Sequence, residues 1–204
     1  MIETHLAIET GEGKMSTFVV RPESDGPFPV ILFLMDAPGK REELHDMARR
    51  VAATGYYVML PNLYYRDVPS FTIHREDPVS AKYMAQLMDN LSNAMVSRDA
   101  AKLMEQAESD DSANTDLVGV TGYCMSGPFA LWLAADYPEK IKAAASIHGV
   151  RLATDADDSP HTRAAQIDGE ILVLAAEFDD WVDKPHFDRL TDALINADVS
   201  HYAE

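Results

Sequence analysis

Apolar and polar positions follow two rhythms along this chain, and the change of rhythm marks its elements. Val30-Ile31-Leu32-Phe33-Leu34-Met35 is an unbroken apolar, partly β-branched run, the pattern of a strand covered on both faces. Over residues 41–54 the apolar side chains Leu44, Met47, Ala48 and Val51 recur at helical spacing, and Gly55 supplies the stop. Tyr57-Val58-Met59-Leu60, closed by Pro61, reads as a short strand. Residues 65–79 hold few apolar positions and read as irregular. A helix is predicted from about 80 to 107, with a break near 90–93. A polar loop at 110–114 and a strand over 116–121 follow. Residues 127–137 form a predicted helix stopped by Pro138, and strands are expected at 143–147 and 171–174. A helix over 184–197 leads into the start of one more strand at 199–202. Earlier, residues 2–10 and 15–20 read as two strands joined by Gly11-Glu12-Gly13, a hairpin signal.

This alternation of apolar strands with helices implies an α/β fold, a mostly parallel sheet with helices on both faces and an antiparallel hairpin in front. No repeat, low-complexity tract or long linker divides the 204 residues, so a single domain over 1–204 is expected, long enough to bury most of its apolar surface.

Charge narrows the class of partner. Seventeen Lys and Arg against 34 Asp and Glu give a formal net charge of −17. Such a surface repels phosphate backbones and anionic lipid, which argues against nucleic-acid and membrane partners. No apolar run has the length of a bilayer span. Met1-Ile2-Glu3-Thr4-His5 has no basic stretch leading into an apolar core, so no signal peptide is expected and the expected location is cytoplasmic. H-E-x-x-H and C-x-x-C spacings are absent, and neither metal nor cofactor is implied.

The chain has one cysteine, which excludes an intrachain disulfide and leaves Cys124 as a small core residue or a reactive group. Its neighbours favour reactivity. The strand at 116–121 runs directly into Gly122-Tyr123-Cys124-Met125-Ser126-Gly127 and then a helix, the strand–turn–helix context of a nucleophile elbow. That turn strains the nucleophile's backbone, so the residues two before and two after it must be small; Gly122 and Ser126 meet the need. A cysteine at a helix N-terminus is expected to favour thiolate, with the Met125 N–H placed for an oxyanion hole.

Gly122-Tyr123-Cys124-Met125-Ser126-Gly127 resembles the elbow of the dienelactone hydrolase family, usually G-Y-C-x-G-G, with Ser126 in place of a glycine. Phe33-Leu34-Met35-Asp36-Ala37-Pro38-Gly39 resembles that family's first catalytic loop. Ala176-Glu177-Phe178-Asp179-Asp180-Trp181-Val182 resembles its acid loop, usually G-E-x-D-x-x-V. The similarity runs from about residue 15 to the end. The resemblance implies an α/β-hydrolase fold with Cys124 as nucleophile and Asp179 as the acid that orients a histidine. Asp180 is adjacent, and position alone separates the two only weakly. The resemblance further implies Ala37 N–H as the second oxyanion donor. Asp36 matches a family glutamate that helps generate the thiolate; being one methylene shorter, it has loop fixation as its other reading. His148-Gly149-Val150-Arg151-Leu152 resembles a pocket-lining segment, so His148 and Arg151 are expected at the substrate site.

The implied activity is hydrolysis of a small-molecule carboxylic ester or lactone through an acyl-cysteine. The alternative is a hydrolase-fold binding or regulatory protein without turnover. A family-like histidine is expected in the loop after the last strand, which at about five or six residues would run past Glu204. His201, at the start of that strand, lies too far from Cys124 to replace it. His148, following the strand at 143–147 on the catalytic edge, is the better substitute. His74 and His161 fall in loops that can cover the site, while His5, His45 and His186 read as surface positions. For a substrate carboxylate Arg66, Arg98 and Arg151 are available, with only Arg151 placed near the pocket. The physiological substrate and oligomeric state stay open.

Overall fold

The computed structural model describes residues 1–74, 76–179 and 181–204. The chain opens with β1 (Ile2–Glu9) and β2 (Lys14–Arg21), paired antiparallel from Ile2↔Arg21 to Glu9↔Lys14. β3 (Phe28–Leu34), β4 (Tyr57–Pro61), β5 (Ala113–Tyr123), β6 (Ile141–Ile147), β7 (Glu170–Leu174) and β8 (His201–Ala203) follow. Together they form one eight-stranded sheet of order β1-β2-β4-β3-β5-β6-β7-β8, parallel from β4 to β8. The expected α/β-hydrolase-like architecture, hairpin included, is the one observed.

Among the described residues five α-helices connect the strands: α1 (Glu42–Ala52), α2 (Pro78–Asp89), α3 (Asn93–Glu108), α4 (Gly127–Asp136) and α5 (Lys184–Asn196). Leu44, Ala48 and Ala52 of α1 are buried, a stripe set by the helical period. α4 is apolar almost all round and buried, as befits a helix under the centre of the sheet. Right-handed crossovers place the helices. The step from β3 to β4 runs one way along the sheet, and the steps β4 to β5, β5 to β6 and β7 to β8 run the other way. α1 therefore lies on one face and α3, α4 and α5 on the other.

The burial pattern of the strands follows from this. Val118 and Val120 of β5, Ala144 and Ser146 of β6, and Ile171 and Val173 of β7 are buried beneath the helices of the second face. The alternate positions Thr121, Ala143, Ala145 and Leu172 are more open. Together with Ile31, Tyr56 and Tyr202 they line a broad concave surface on the α1 side.

Three details differ from the sequence expectations, while the helix expected over 80–107 is two helices, divided at the expected break. Its break holds because Ser92, in extended conformation, caps α3 by accepting the Met95 N–H at 3.3 Å. β5 begins at Ala113, inside the expected polar loop. A 3₁₀ helix, Pro160–Gln166, was not foreseen; Arg163 secures it, lying 4.4 Å above the Trp132 ring and pairing with Asp136 at 2.8 Å. His45 is no surface residue: its ring lies 4.3 Å from that of Phe18.

Candidate active site

β5 ends at Tyr123, and at Cys124 the backbone turns into the left-handed region, φ +55°, before a 3₁₀ turn over Cys124–Ser126 opens α4. A non-glycine residue held there marks stored strain of the kind found at functional sites. The flanking residues explain how the turn closes. A Cβ on Gly122 would lie 2.1 Å from the Ser126 carbonyl oxygen, so only glycine fits. Ser126 is fully buried; its Oγ accepts the Tyr123 N–H at 2.8 Å and donates toward the Leu34 carbonyl at 3.2 Å. Where the family pattern has glycine, this hydroxyl pins the corner to β3.

Two backbone N–H groups act on the half-buried Cys124 thiol, that of Met125 on its own turn and that of Ala37 in the loop after β3. Both favour the ionised sulfur. Burial acts more strongly in the opposite sense, and the charges of Asp36 and Asp179 add to it, so the thiol is pushed up from its usual range. This reverses the expectation of a favoured thiolate: desolvation and two nearby carboxylates outweigh the amides and the helix terminus.

Ala37 is itself held. The buried Tyr64 donates its hydroxyl to the Ala37 carbonyl at 2.9 Å and lies 3.1 Å from the Met125 sulfur, touching both residues whose N–H groups act on the thiol. Burial pushes this phenol above its ordinary range, with Asp36 and Cys124 contributing. Tyr64 went unnoticed in the sequence, although it lies just past β4 on the carboxyl edge where α/β sites assemble.

Asp36 forms a two-pronged pair with Arg41, Oδ1 to Nη1 at 2.5 Å and Oδ2 to Nη2 at 3.0 Å, and Arg41 also bonds the Gly39 carbonyl at 3.0 Å. Its carboxylate thus fastens the loop that carries Ala37. Asp179 lies in the loop after β7, half-buried, accepting the Trp181 N–H at 2.8 Å. Asp180 lies outside the described residues. Phe178 and Trp181, on either side of this pair, are 87% and 81% exposed.

His148 follows β6 directly with φ +41°, its N–H donating to the Leu174 carbonyl at 2.6 Å and its exposed ring 6.4 Å from that of Tyr123. Arg151 borders a cavity of about 220 Å³ that also touches Met125 and Phe129. Its guanidinium pairs with Asp89 at 3.0 Å. Arg66 is engaged by Asp99 and Glu12, both at 2.7 Å, and Arg98 by Glu12 at 3.3 Å, so all three candidate arginines already hold carboxylates.

His186 corrects another expectation. Its Nε2 accepts the N–H groups of Leu152 and Ala153 at 2.9 and 3.0 Å, so the ring, read as a surface residue, anchors the loop that carries Arg151. Burial lowers its pKa. Among the described residues, no histidine hydrogen-bonds to Cys124, and no three His, Cys, Asp or Glu side chains form a group able to hold a metal. No described helix is long and apolar enough to cross a membrane.

A sequence profile of the Dienelactone hydrolase family matches residues 15–204. The chain belongs to the dienelactone hydrolase family. Two curated family relatives, each named "Putative carboxymethylenebutenolidase", come from Methylorubrum extorquens and a Synechocystis species. The first is 27% identical over 197 residues, covering 95% of this chain and 66% of the relative. The second is 24% identical over 191 residues, covering 92% and 76%. The chain thus spans about two thirds to three quarters of the length of these relatives. The crystal structure of a "Putative Dienelactone Hydrolase" from Klebsiella pneumoniae matches all of this chain and 84% of its own, with TM-score 0.86 and 23% identity. A dienelactone hydrolase-like promiscuous phosphotriesterase from metagenomic libraries matches with TM-score 0.80 and 18% identity, covering 99% and 80%. At these identities the two structures establish the shared fold.

Proposed function

We propose that this dienelactone hydrolase family member hydrolyses a small carboxylic ester or lactone through an acyl-cysteine. One observation carries the reading: Cys124 stands at the apex of a strained strand-to-helix turn, φ +55°, which Gly122 alone has room to close, and the N–H groups of Met125 and Ala37 both act on its sulfur in the sense that favours the anion. A carbonyl oxygen drawn to that point would find two preset donors as it gains charge.

Because the resting thiol is held protonated, the first step needs a base. In the family pattern this is a histidine in the loop after the last strand, oriented by Asp179. The base takes the thiol proton, Sγ bonds to the carbonyl carbon, and the carbonyl π electrons move to the oxygen held by Ala37 and Met125. When the tetrahedral species collapses, the C–O bond breaks and the alkoxide takes the proton back from the base. In a lactone that alkoxide stays attached to the acyl chain. Water, losing a proton to the same base, then attacks the thioester; the C–S bond breaks and the sulfur is reprotonated. Relatives named "Putative carboxymethylenebutenolidase", and one from a Bradyrhizobium species named "Probable 2-oxo-3-(5-oxofuran-2-ylidene)propanoate lactonase", support a lactone or related ester as the substrate class.

The test is Cys124→Ala. Hydrolysis of small activated esters and lactones should fall by at least about 10³-fold; an unchanged rate would remove the cysteine from the mechanism. One second reading, a binding protein without turnover, is favoured by the fact that among the described residues no histidine hydrogen-bonds to Cys124. It calls for slow, free-thiol-like reaction of Cys124 with iodoacetamide near neutral pH and no ester hydrolysis by the parent.

A further inference from the structure

The two N–H groups that act on Cys124 belong to segments that the sheet no longer joins. The β3–β5 ladder ends at Leu34↔Gly122, and Ala37 and Met125 both lie beyond that pair. Tyr64 spans the gap. Its fully buried side chain donates to the Ala37 carbonyl at 2.9 Å, and the same oxygen touches the Met125 sulfur at 3.1 Å. A phenol has one hydrogen, so the carbonyl receives the bond and the sulfur is a packing contact. Burial keeps the phenol protonated, and so a donor, well into the alkaline range.

Tyr64 is anchored in turn. Its N–H donates to Asn62 Oδ1 at 3.1 Å, and its carbonyl accepts the N–H groups of Asp67 and Val68 at 2.9 and 2.8 Å. Asn62 Nδ2 donates to the Val68 and Pro69 carbonyls at 3.2 and 3.1 Å, and the Phe71 ring meets the Tyr64 ring edge-on at 6.1 Å. On the other side of Ala37, the Asp36–Arg41 pair holds the preceding residue.

We propose that Tyr64 is a positioning residue for the oxyanion hole: it sets the spacing of the Ala37 and Met125 N–H groups, acting through these two residues. The proposal rests on the hydrolase reading insofar as the oxyanion arises from an ester or lactone carbonyl. Removing the phenol hydroxyl leaves the Ala37 carbonyl without this donor, and the loop shifts to find another. A misplacement of about 1 Å at a reacting centre is worth about 10²-fold in rate, so a fraction of that shift is worth about tenfold.

Tyr64→Phe keeps the ring and removes the bond. Tyr57→Phe is the control, because it deletes a phenol bonded to Asp110 at 3.0 Å at the opposite end of β4. Both should lower Tm. Two readouts report on the oxyanion hole: kcat/KM for phenyl acetate, and the affinity of Cys124 for trifluoroacetophenone by fluorine NMR. In the adduct Sγ bonds to the carbonyl carbon, the π pair moves to oxygen and the thiol proton passes to buffer. No bond then breaks, so turnover is not needed. Tyr64→Phe should lower both readouts by about tenfold or more, and Tyr57→Phe should move neither. Para-aminophenylalanine at position 64 restores a donor and should recover both. Para-fluorophenylalanine fills the hydroxyl's space without donating, and replaces phenylalanine should that variant fail to fold. An adduct affinity unchanged by loss of the donor, whatever the cost in Tm, overturns the positioning role. A Tyr64-dependent adduct in a parent that hydrolyses no ester upholds it and overturns only the hydrolase reading. A parent that neither hydrolyses the ester nor forms the adduct overturns both.

Discussion

Adding one methyl group at Gly122 tests whether the corner at Cys124 is built as described. The new Cβ would lie 2.1 Å from the Ser126 carbonyl oxygen and 2.5 Å from its carbonyl carbon, whereas ordinary Cβ contacts begin near 3.4 Å. The turn must open by about 1 Å to admit it, and both atoms belong to the backbone, so no side-chain rotation relieves the contact. Overpacking of this kind costs about 1–3 kcal/mol. For a chain of this size that lowers Tm by roughly 2–4 °C per kcal/mol, or about 4–8 °C for a cost near 2 kcal/mol. The same displacement moves the Met125 N–H relative to the sulfur, and a misplacement of about 1 Å is worth about 10²-fold in rate. Thermal unfolding and hydrolysis of an activated acetate ester measure the two effects. Gly55→Ala is the control: at φ +103° it is strained, yet nothing lies within 4 Å of its Cβ. It should cost stability and leave the rate alone. A Gly122→Ala variant with the parent's Tm and rate would refute the steric account of the turn.

Two further outcomes follow from the electrostatics. Asp179→Asn removes a negative charge that raises the Cys124 pKa, so iodoacetamide should modify the variant faster at pH 8 while ester hydrolysis falls by about 10³–10⁴-fold. Slower alkylation would show that the carboxylate does not act on the sulfur in this sense. His186 binds the 152–153 amides as a neutral acceptor with its pKa depressed by burial. The unfolded chain therefore takes up its proton first as pH falls below about 6.5. The stability this ring contributes is complete above that pH and is lost as pH falls through the folded value. His186→Phe should flatten the Tm profile between pH 7 and 5, lowering Tm at pH 7 by an amount equivalent to about 1–3 kcal/mol; an unchanged slope would exclude the ring as the titrating group.

Where neighbours along the chain decide the conformation, the sequence was readable. The apolar run of β3, the spaced stripe of α1 and the small residues around Cys124 each state a local rule, and the fold obeys all three. Tyr64, Asn93 and His186 state none. Each acts through a partner far away in the chain, Ala37, Asp158 and the 152–153 amides respectively, and no periodicity announces such pairs. The state of the thiol was misjudged for a related reason. The turn and the helix N-terminus are visible in the string of residues, but the depth of burial and the approach of Asp36 and Asp179 exist only after folding. Ser126 stands between these cases: its size was legible, and its bond to Leu34 was not.

The open α1-side surface of β5, β6 and β7 bears on how residues 1–204 behave in solution as an isolated chain. Alanines, leucine and tyrosine line it in a chain with a formal charge of −17. Mutual repulsion keeps such surfaces apart while its range is long, about 10 Å in 0.1 M salt, and yields when 1 M salt shortens it to about 3 Å. Colloidal stability should therefore decline as salt is added, with light scattering rising before any secondary structure is lost, and dilute buffer is the medium in which the chain stays dispersed.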